Sequence, residues 1–172
     1  AVEKLRQVIE SISEVIYKEL FKVALAAILL DVSNLYRNGK CLSYKKKWED
    51  RKIVENDVFD KFDEKVLKEL KCDIENSITR TKINNKERLY NQDSRIGIAN
   101  EVDDNSIDLV ITSPPYLNSR DYTDTYMLEL KTLGFTKTSE EIKELREKTL
   151  RSHVQIKWND TSNVNNKLLE NT

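Results

Sequence analysis

Glycine is scarce in this 172-residue chain, occurring only at Gly39, Gly97 and Gly134, and no two of these lie closer than 37 residues. A glycine-rich turn, of the kind that lets backbone approach a ligand closely, is therefore excluded. Cys41 and Cys72 lack CxxC spacing and His153 is the single histidine, so neither a zinc site nor a disulfide framework is written here. The expected setting is a reducing cytoplasm with no structural metal. The longest apolar run, Val23 to Leu30, is eight residues, against roughly 20 needed to cross a bilayer. No membrane span and no secretory signal is read, and no membrane partner is expected. Net charge is -1 with 34% charged residues, so no global field announces a polyanion, and any such partner must be met by a local patch. The chain begins at Ala1 and its one methionine is Met127, which suggests a trimmed start or a cut through a longer protein.

What is present first is helical. Leu5, Val8, Ile9, Ile12, Val15, Ile16, Leu20 and Val23 recur at helical spacing and merge into the apolar run ending at Leu30. One long or once-broken helix is predicted, ending near Tyr36, where Arg37-Asn38-Gly39 supplies stop signals. A polar, basic connection from Cys41 to Lys52 leads to a second helical pattern from Lys52 to Leu70. Residues 73–86 hold few apolar side chains and read as a connector, with a domain boundary near 86.

Beyond that point the texture alternates. A short strand is expected at 88–92, a short helix or turn at 96–102, a buried strand at 107–112, and helices at 121–134 and 139–150. Ser139 is the expected cap of the last helix, with Ile142 spoiling the capping box. The expected class is α/β: a helical section (1–86), an α/β portion (87–158) and a polar, asparagine-rich tail (159–172).

The stretch Ile107 to Tyr116, IDLVITSPPY, carries the chemistry. Two successive prolines cannot continue a ladder, so a strand here must stop and present a stiff, carbonyl-rich turn. At the carboxyl end of a strand in an open α/β sheet, that is where ligands sit. The Ser113 hydroxyl and the Pro114 carbonyl are acceptors for an amino group, Pro115 stiffens the turn, and Tyr116 offers a stacking face. Together they describe a pocket for the exocyclic amine of an unpaired or flipped base. The alternative is a Pro-Pro turn that merely ends a strand.

Ser113-Pro114-Pro115-Tyr116 resembles motif IV of the DNA amino-methyltransferases acting on N4 of cytosine or N6 of adenine, whose pattern is (Asp/Asn/Ser)-Pro-Pro-(Tyr/Phe/Trp). The flanks extend the likeness. Leu89-Tyr90-Asn91-Gln92-Asp93-Ser94-Arg95, the run from Asp104 to Tyr116, and Asn118-Ser119-Arg120-Asp121-Tyr122-Thr123 are similar to the family's motif III through motif IV and the following helix. Leu30-Asp31-Val32-Ser33-Asn34 more faintly resembles an insertion that some members carry.

The resemblance implies a partial Rossmann-like methyltransferase sheet, DNA as substrate, a place in restriction-modification, and direct methyl transfer from S-adenosylmethionine. By position, Ser113 and the Pro114 carbonyl hold the amino group, Tyr116 stacks on the base, and Asp93 meets the cofactor adenine. Ser in place of Asp at 113 leans toward N4-cytosine. Complete members also carry a Phe-x-Gly-x-Gly turn and an acidic residue that grips the ribose, and this chain has neither. It is expected to be a target-base half whose cofactor half precedes Ala1 or sits on a partner chain, and to bind the cofactor poorly alone. The non-enzyme alternative is a truncated copy that binds DNA or forms homo-oligomers.

Between Lys40 and Lys52, six basic residues stand against Glu49 and Asp50, with Tyr44 and Trp48 interleaved. Lys45, Lys46 and Lys47 read either as a DNA-backbone track or as a solvated loop whose Trp48 packs on the helices. Arg120 is a candidate phosphate contact by position alone. Asp121 is expected to cap the next helix, and Arg146 to suit the dipole of the last one.

Overall fold

A computed structural model describes residues 1–39, 41–80, 90–113 and 121–149, excluding the side chains of 78–80 and 95. Two compact units are distinguished, one formed by residues 1–62 and 115–172 and the other by 63–114.

In the first unit, α1 (Val2–Glu10) and α2 (Val15–Ile28) pack together. Their contact residues follow from the periodicity: Ile9, Leu25, Ile28 and Leu29 are buried, Leu25 completely, with Val32 and Val58. Burying a side chain of this size contributes about 2 kcal/mol. Phe21, Phe62, Leu128 and Leu133 close over this core. The Phe21 and Phe62 rings lie 6.3 Å apart and tilted.

Of the two forms expected, the once-broken one occurs, and its second helix stops at Ile28 rather than near Tyr36. The chain turns through Asp31 and Ser33 into an antiparallel hairpin, β1 (Leu35–Arg37) with β2 (Leu42–Tyr44), where a plain connection was expected. Gly39, at φ +57°, supplies the left-handed residue of its turn. A 3-10 turn (Trp48–Asp50) follows.

Then α3 (Glu55–Glu64), a π-helical stretch (Lys65–Leu70) and α4 (Lys71–Arg80) succeed one another. The connector reading of 73–86 is corrected as far as Arg80. Pairs such as Glu64 with Lys68 at 3.2 Å and Lys71 with Glu75 at 4.0 Å lace this helix on its surface. Such pairs and helix propensity add to the packing that Val58 and Phe62 supply from α3.

The second unit also contains α5 (Ser94–Glu101), as its sequence predicts. The expected buried strand at 107–112 is not formed. This segment is irregular and open to solvent, with Leu109, Val110 and Ile111 at 74%, 75% and 87% exposure. A strand apolar on both faces needs neighbours on both edges, and among the described residues the only strands are β1 and β2, which pair with each other. Residues 90–92 are likewise not strand, and 88–89 lie outside the described residues, as do residue 86 and the tail. The described residues are thus helix-rich with one two-stranded antiparallel sheet, and no parallel α/β layer occurs among them.

Back in the first unit, α6 (Tyr122–Thr125), α7 (Met127–Thr132) and α8 (Ser139–Lys148) complete the chain's described part. α7 ends in a Schellman motif: Phe135 N–H donates to the Leu130 carbonyl at 2.9 Å, and Gly134 N–H to Lys131 at 3.2 Å, with Gly134 at φ +80°. The cap of α8 is Thr138, one residue before the expected Ser139. That shift puts Glu141 at the third helical position and completes the capping box.

Backbone N–H groups of Lys137 and Thr138 donate to the Glu141 carboxylate and hold its pKa below the usual glutamate value. A depressed carboxylate stabilises the fold fully above the ordinary glutamate range, about 4.3, and loses that contribution as pH falls through the lowered value. Glu141→Gln is expected to flatten the melting temperature against pH between about 5 and 3, measured by circular dichroism; an unchanged profile would show that the box adds nothing.

Candidate functional site

Of the four residues in the Pro-Pro motif, Ser113 is described; it lies exposed at the end of the 107–113 segment. Pro114, Pro115 and Tyr116 lie outside the described residues, as does Arg120. Ahead of the segment, Ser106 donates through its hydroxyl to the Asp103 carbonyl at 2.7 Å, and Asn105 adopts φ +59°. This turn sets where the apolar run begins.

Asp93 immediately precedes α5, and its carbonyl accepts the Ile96 and Gly97 amides at 3.0 and 2.7 Å. Beside it is a cavity of about 210 Å³ lined by Tyr90, Gln92, Ser94, Gly97, Ile98 and Val102. Gln92 donates to the Glu101 carboxylate at 2.9 Å across it. A Cβ on Gly97 would come within 3.2 Å of the Gln92 Cβ, so glycine permits this close approach. The cavity is smaller than the roughly 300 Å³ at which small-molecule sites begin. No glycine-rich turn adjoins it in the sequence.

On the other side of the motif a polar cluster anchors the chain as it enters α6. Asp121 and Thr123 are buried at 6% exposure each. The Thr123 hydroxyl donates to Asp121 Oδ2 at 2.7 Å, and Arg146 Nε donates to Thr123 Oγ1 at 2.8 Å. The Arg146 guanidinium also lies 3.6 Å from Asp121 Oδ2 and pairs with Asp124. Asp121 stands at the cap position of α6, but its side chain makes no cap hydrogen bond. It faces Arg146 instead, which reaches across from α8 rather than serving the helix dipole alone. Sequence reading missed this cluster, for which the sequence carries only the bare residue types.

A second cross-link ties the hairpin to the same helices. Arg37 on β1 pairs with Glu129, and its Nε donates to the Thr125 carbonyl at 3.5 Å. The guanidinium carbon lies 4.7 Å over the Tyr126 ring, within cation–π range. The side chain of Glu129 is 13% exposed, so its partner is held in a partly desolvated setting.

The three consecutive lysines separate by role. Lys45 Nζ donates to the Leu30 and Ser33 carbonyls, both at 2.9 Å, and burial followed by the nearby Arg51 charge lowers its pKa. Arg51 reaches Ser33 and Asp31 carbonyls at 3.0 and 3.2 Å. Both side chains donate to carbonyls of the turn that follows α2. The Lys45 ammonium points into the fold, onto the Leu30 and Ser33 carbonyls. Lys46 and Lys47 are exposed and make no ion pair among the described residues. Tyr44 and Trp48 stack at 4.5 Å with 28° between planes.

No group of three or more histidine, cysteine or acidic side chains is placed to hold a metal among the described residues. Nor is any helix among them long and apolar enough to cross a membrane.

No family model matches the chain, and no solved structure does. Among curated proteins it is 32% identical over 159 residues to the type II methyltransferase M.BsoBI of Geobacillus stearothermophilus, an alignment covering 81% of this chain and 31% of that protein. It is also 32% identical over 162 residues to the type II methyltransferase M.AvaI of Nostoc sp. and of Anabaena variabilis, covering 83% of this chain and 31% of each. The chain thus spans about a third of the length of the curated relatives it matches. Over the segment shared with them, the chain belongs to the type II DNA methyltransferase family.

Proposed function

We propose that this chain is the target-base portion of an S-adenosylmethionine-dependent DNA methyltransferase that modifies an exocyclic amine, N4 of cytosine in preference to N6 of adenine. The observation that carries the reading is Ser113-Pro114-Pro115-Tyr116 directly after the apolar run 107–112, in a chain related to type II methyltransferases. The bound cofactor supplies an electrophilic methyl group. The chain's own residues orient the acceptor: Ser113 and the Pro114 carbonyl accept the amine's hydrogens as the nitrogen takes up positive charge, and Tyr116 stacks on the extruded base. Asp93, with the small cavity beside it, is assigned to the adenine end of the cofactor. The methionine end is assigned to a glycine-rich portion supplied from outside the 172 residues, which also provides the sheet neighbours of 107–112 and completes a Rossmann-like layer.

The test is complementation. The chain is mixed with a separately expressed segment of a type II relative carrying Phe-x-Gly-x-Gly, labelled S-adenosylmethionine and DNA, and the digested nucleosides are separated. N4-methylcytosine is expected from the mixture alone, with Ser113→Ala lowering turnover about 100-fold. N6-methyladenine would overturn the cytosine assignment. An absence of methylated nucleoside, or micromolar cofactor binding to the isolated chain by calorimetry, would overturn the split of the site.

A further inference from the structure

We propose that the end of β2 and the turn that follows it form a DNA-contacting arm, in which Lys46 and Lys47 meet phosphates and the Tyr44–Trp48 stack receives an unstacked base. The proposal rests on the methyltransferase reading and adds to it a second contact, distinct from the Pro-Pro motif.

Charge is concentrated here. From Arg37 to Lys52, seven basic residues stand against two acidic ones, Glu49 and Asp50, in a chain whose net charge is -1. Within this stretch the structure sorts the cations. Arg37 is paired with Glu129, while Lys45 and Arg51 donate to carbonyls of the turn that follows α2. Lys46 and Lys47 remain exposed, without an ion pair among the described residues.

The aromatic pair has the geometry of a platform. Tyr44 is 61% exposed and Trp48 38%, although the two rings already cover one face of each other. Large exposed rings held rigidly in a stack leave an outer face for a further π-system, and base stacking of this kind tolerates any base. Lysines on the same turn lie where the phosphates of that nucleotide must run.

The arm is held stiffly. The Lys45 amide donates to the Asn34 carbonyl at 2.8 Å, and the Asn34 side-chain amide donates to the Trp48 carbonyl at 3.2 Å. Lys47 is fixed in the left-handed region at φ 55°, ψ 35°. Through Arg37 the hairpin is bound to Thr125, Tyr126 and Glu129, on helices that begin a few residues after Tyr116 in sequence. Stacking is thereby offered at a set position relative to Thr125, Tyr126 and Glu129.

The test compares the wild-type chain with Lys46→Ala/Lys47→Asn, Tyr44→Ala and Lys45→Met, using a fluorescent DNA duplex containing one unpaired base and the matched duplex. Asn is chosen at 47 because it tolerates the left-handed backbone. The lysine pair is expected to reduce the slope of log Kd against log salt by about 1.8. Tyr44→Ala is expected to weaken binding to the unpaired-base duplex by about 5- to 100-fold and to the matched duplex little. In a Trp158→Phe background, quenching of the remaining Trp48 emission by the same duplex reports stacking directly. Lys45→Met should lower the melting temperature and leave the salt slope alone. An unchanged slope, or equal loss on both duplexes, would overturn the arm. Methyl transfer in the complemented mixture is scored separately: hairpin variants that keep wild-type DNA binding beside an active mixture refute the arm alone, whereas an inactive mixture refutes the parent reading.

Discussion

A chain carrying Leu109→Lys and Ile111→Lys is expected to melt within about 0.5 kcal/mol of the wild type and yet to support no methyl transfer in the complemented mixture. Both side chains are largely in solvent, at 74% and 87% exposure, so in the isolated chain the substitutions remove almost no buried area. The segment nevertheless has the composition of a strand covered on both faces, Ile-Asp-Leu-Val-Ile-Thr, and period-two alternation puts Ile107, Leu109 and Ile111 on one of those faces. If the glycine-rich portion brings the sheet neighbours, two lysines on that face must be buried without partners when the halves associate. That costs several kcal/mol per ion, enough to cancel association. Gel filtration of the mixture should show the variant eluting as separate chains while the wild type co-elutes. A variant that still co-elutes and methylates would show that 107–112 is not a sheet strand in the active protein. A variant that unfolds alone would show that the segment is already packed in this chain.

What could be read from the residues divides along the range of the interactions involved. α1, α2 and α5 were legible because apolar spacing and short-range propensity decide them. The 107–112 strand was misread for the isolated chain because the pattern records a requirement for neighbours, and the chain's only described sheet is the hairpin. α4 was missed because Ile74 and Ile78 alone make too short an apolar pattern among its polar residues to stand out. The cap was placed one residue late, and the box therefore read as incomplete, because Ser139 and Thr138 are both good caps and only the chain's path chooses between them. At the site, the Pro-Pro motif stood out through its rigidity and its resemblance. The partners of Lys45, Arg37 and Arg146 lie 12 to 92 residues away and could not be assigned from spacing.

Arg146→Ala should lower stability by about 3 kcal/mol, roughly 10 °C in melting temperature, more than an ordinary surface arginine. The reason is what remains behind. Arg146 touches Asp121, Thr123 and Asp124 at once, and the Asp121 side chain is only 5% exposed. Deleting the cation takes the guanidinium away from a nearly buried carboxylate that also accepts from the Thr123 hydroxyl at 2.7 Å. Arg146→Lys should recover part of the loss, because a single ammonium cannot reproduce the fork that spans Thr123 and Asp124. Asp121→Asn combined with Arg146→Gln should cost less than Arg146→Ala, since the more deeply buried of the two carboxylates is then neutral. The functional consequence follows from position: Asp121 lies five residues after Tyr116, so loosening it frees the chain on the carboxyl side of the motif. At a temperature where Arg146→Lys is fully folded, methyl transfer in the complemented mixture should still fall about tenfold, with the loss in turnover rather than in DNA affinity. A melting shift under about 2 °C for Arg146→Ala would show that the cluster is solvated and carries no load. A loss confined to DNA affinity would place Arg146 at a phosphate instead of behind the motif.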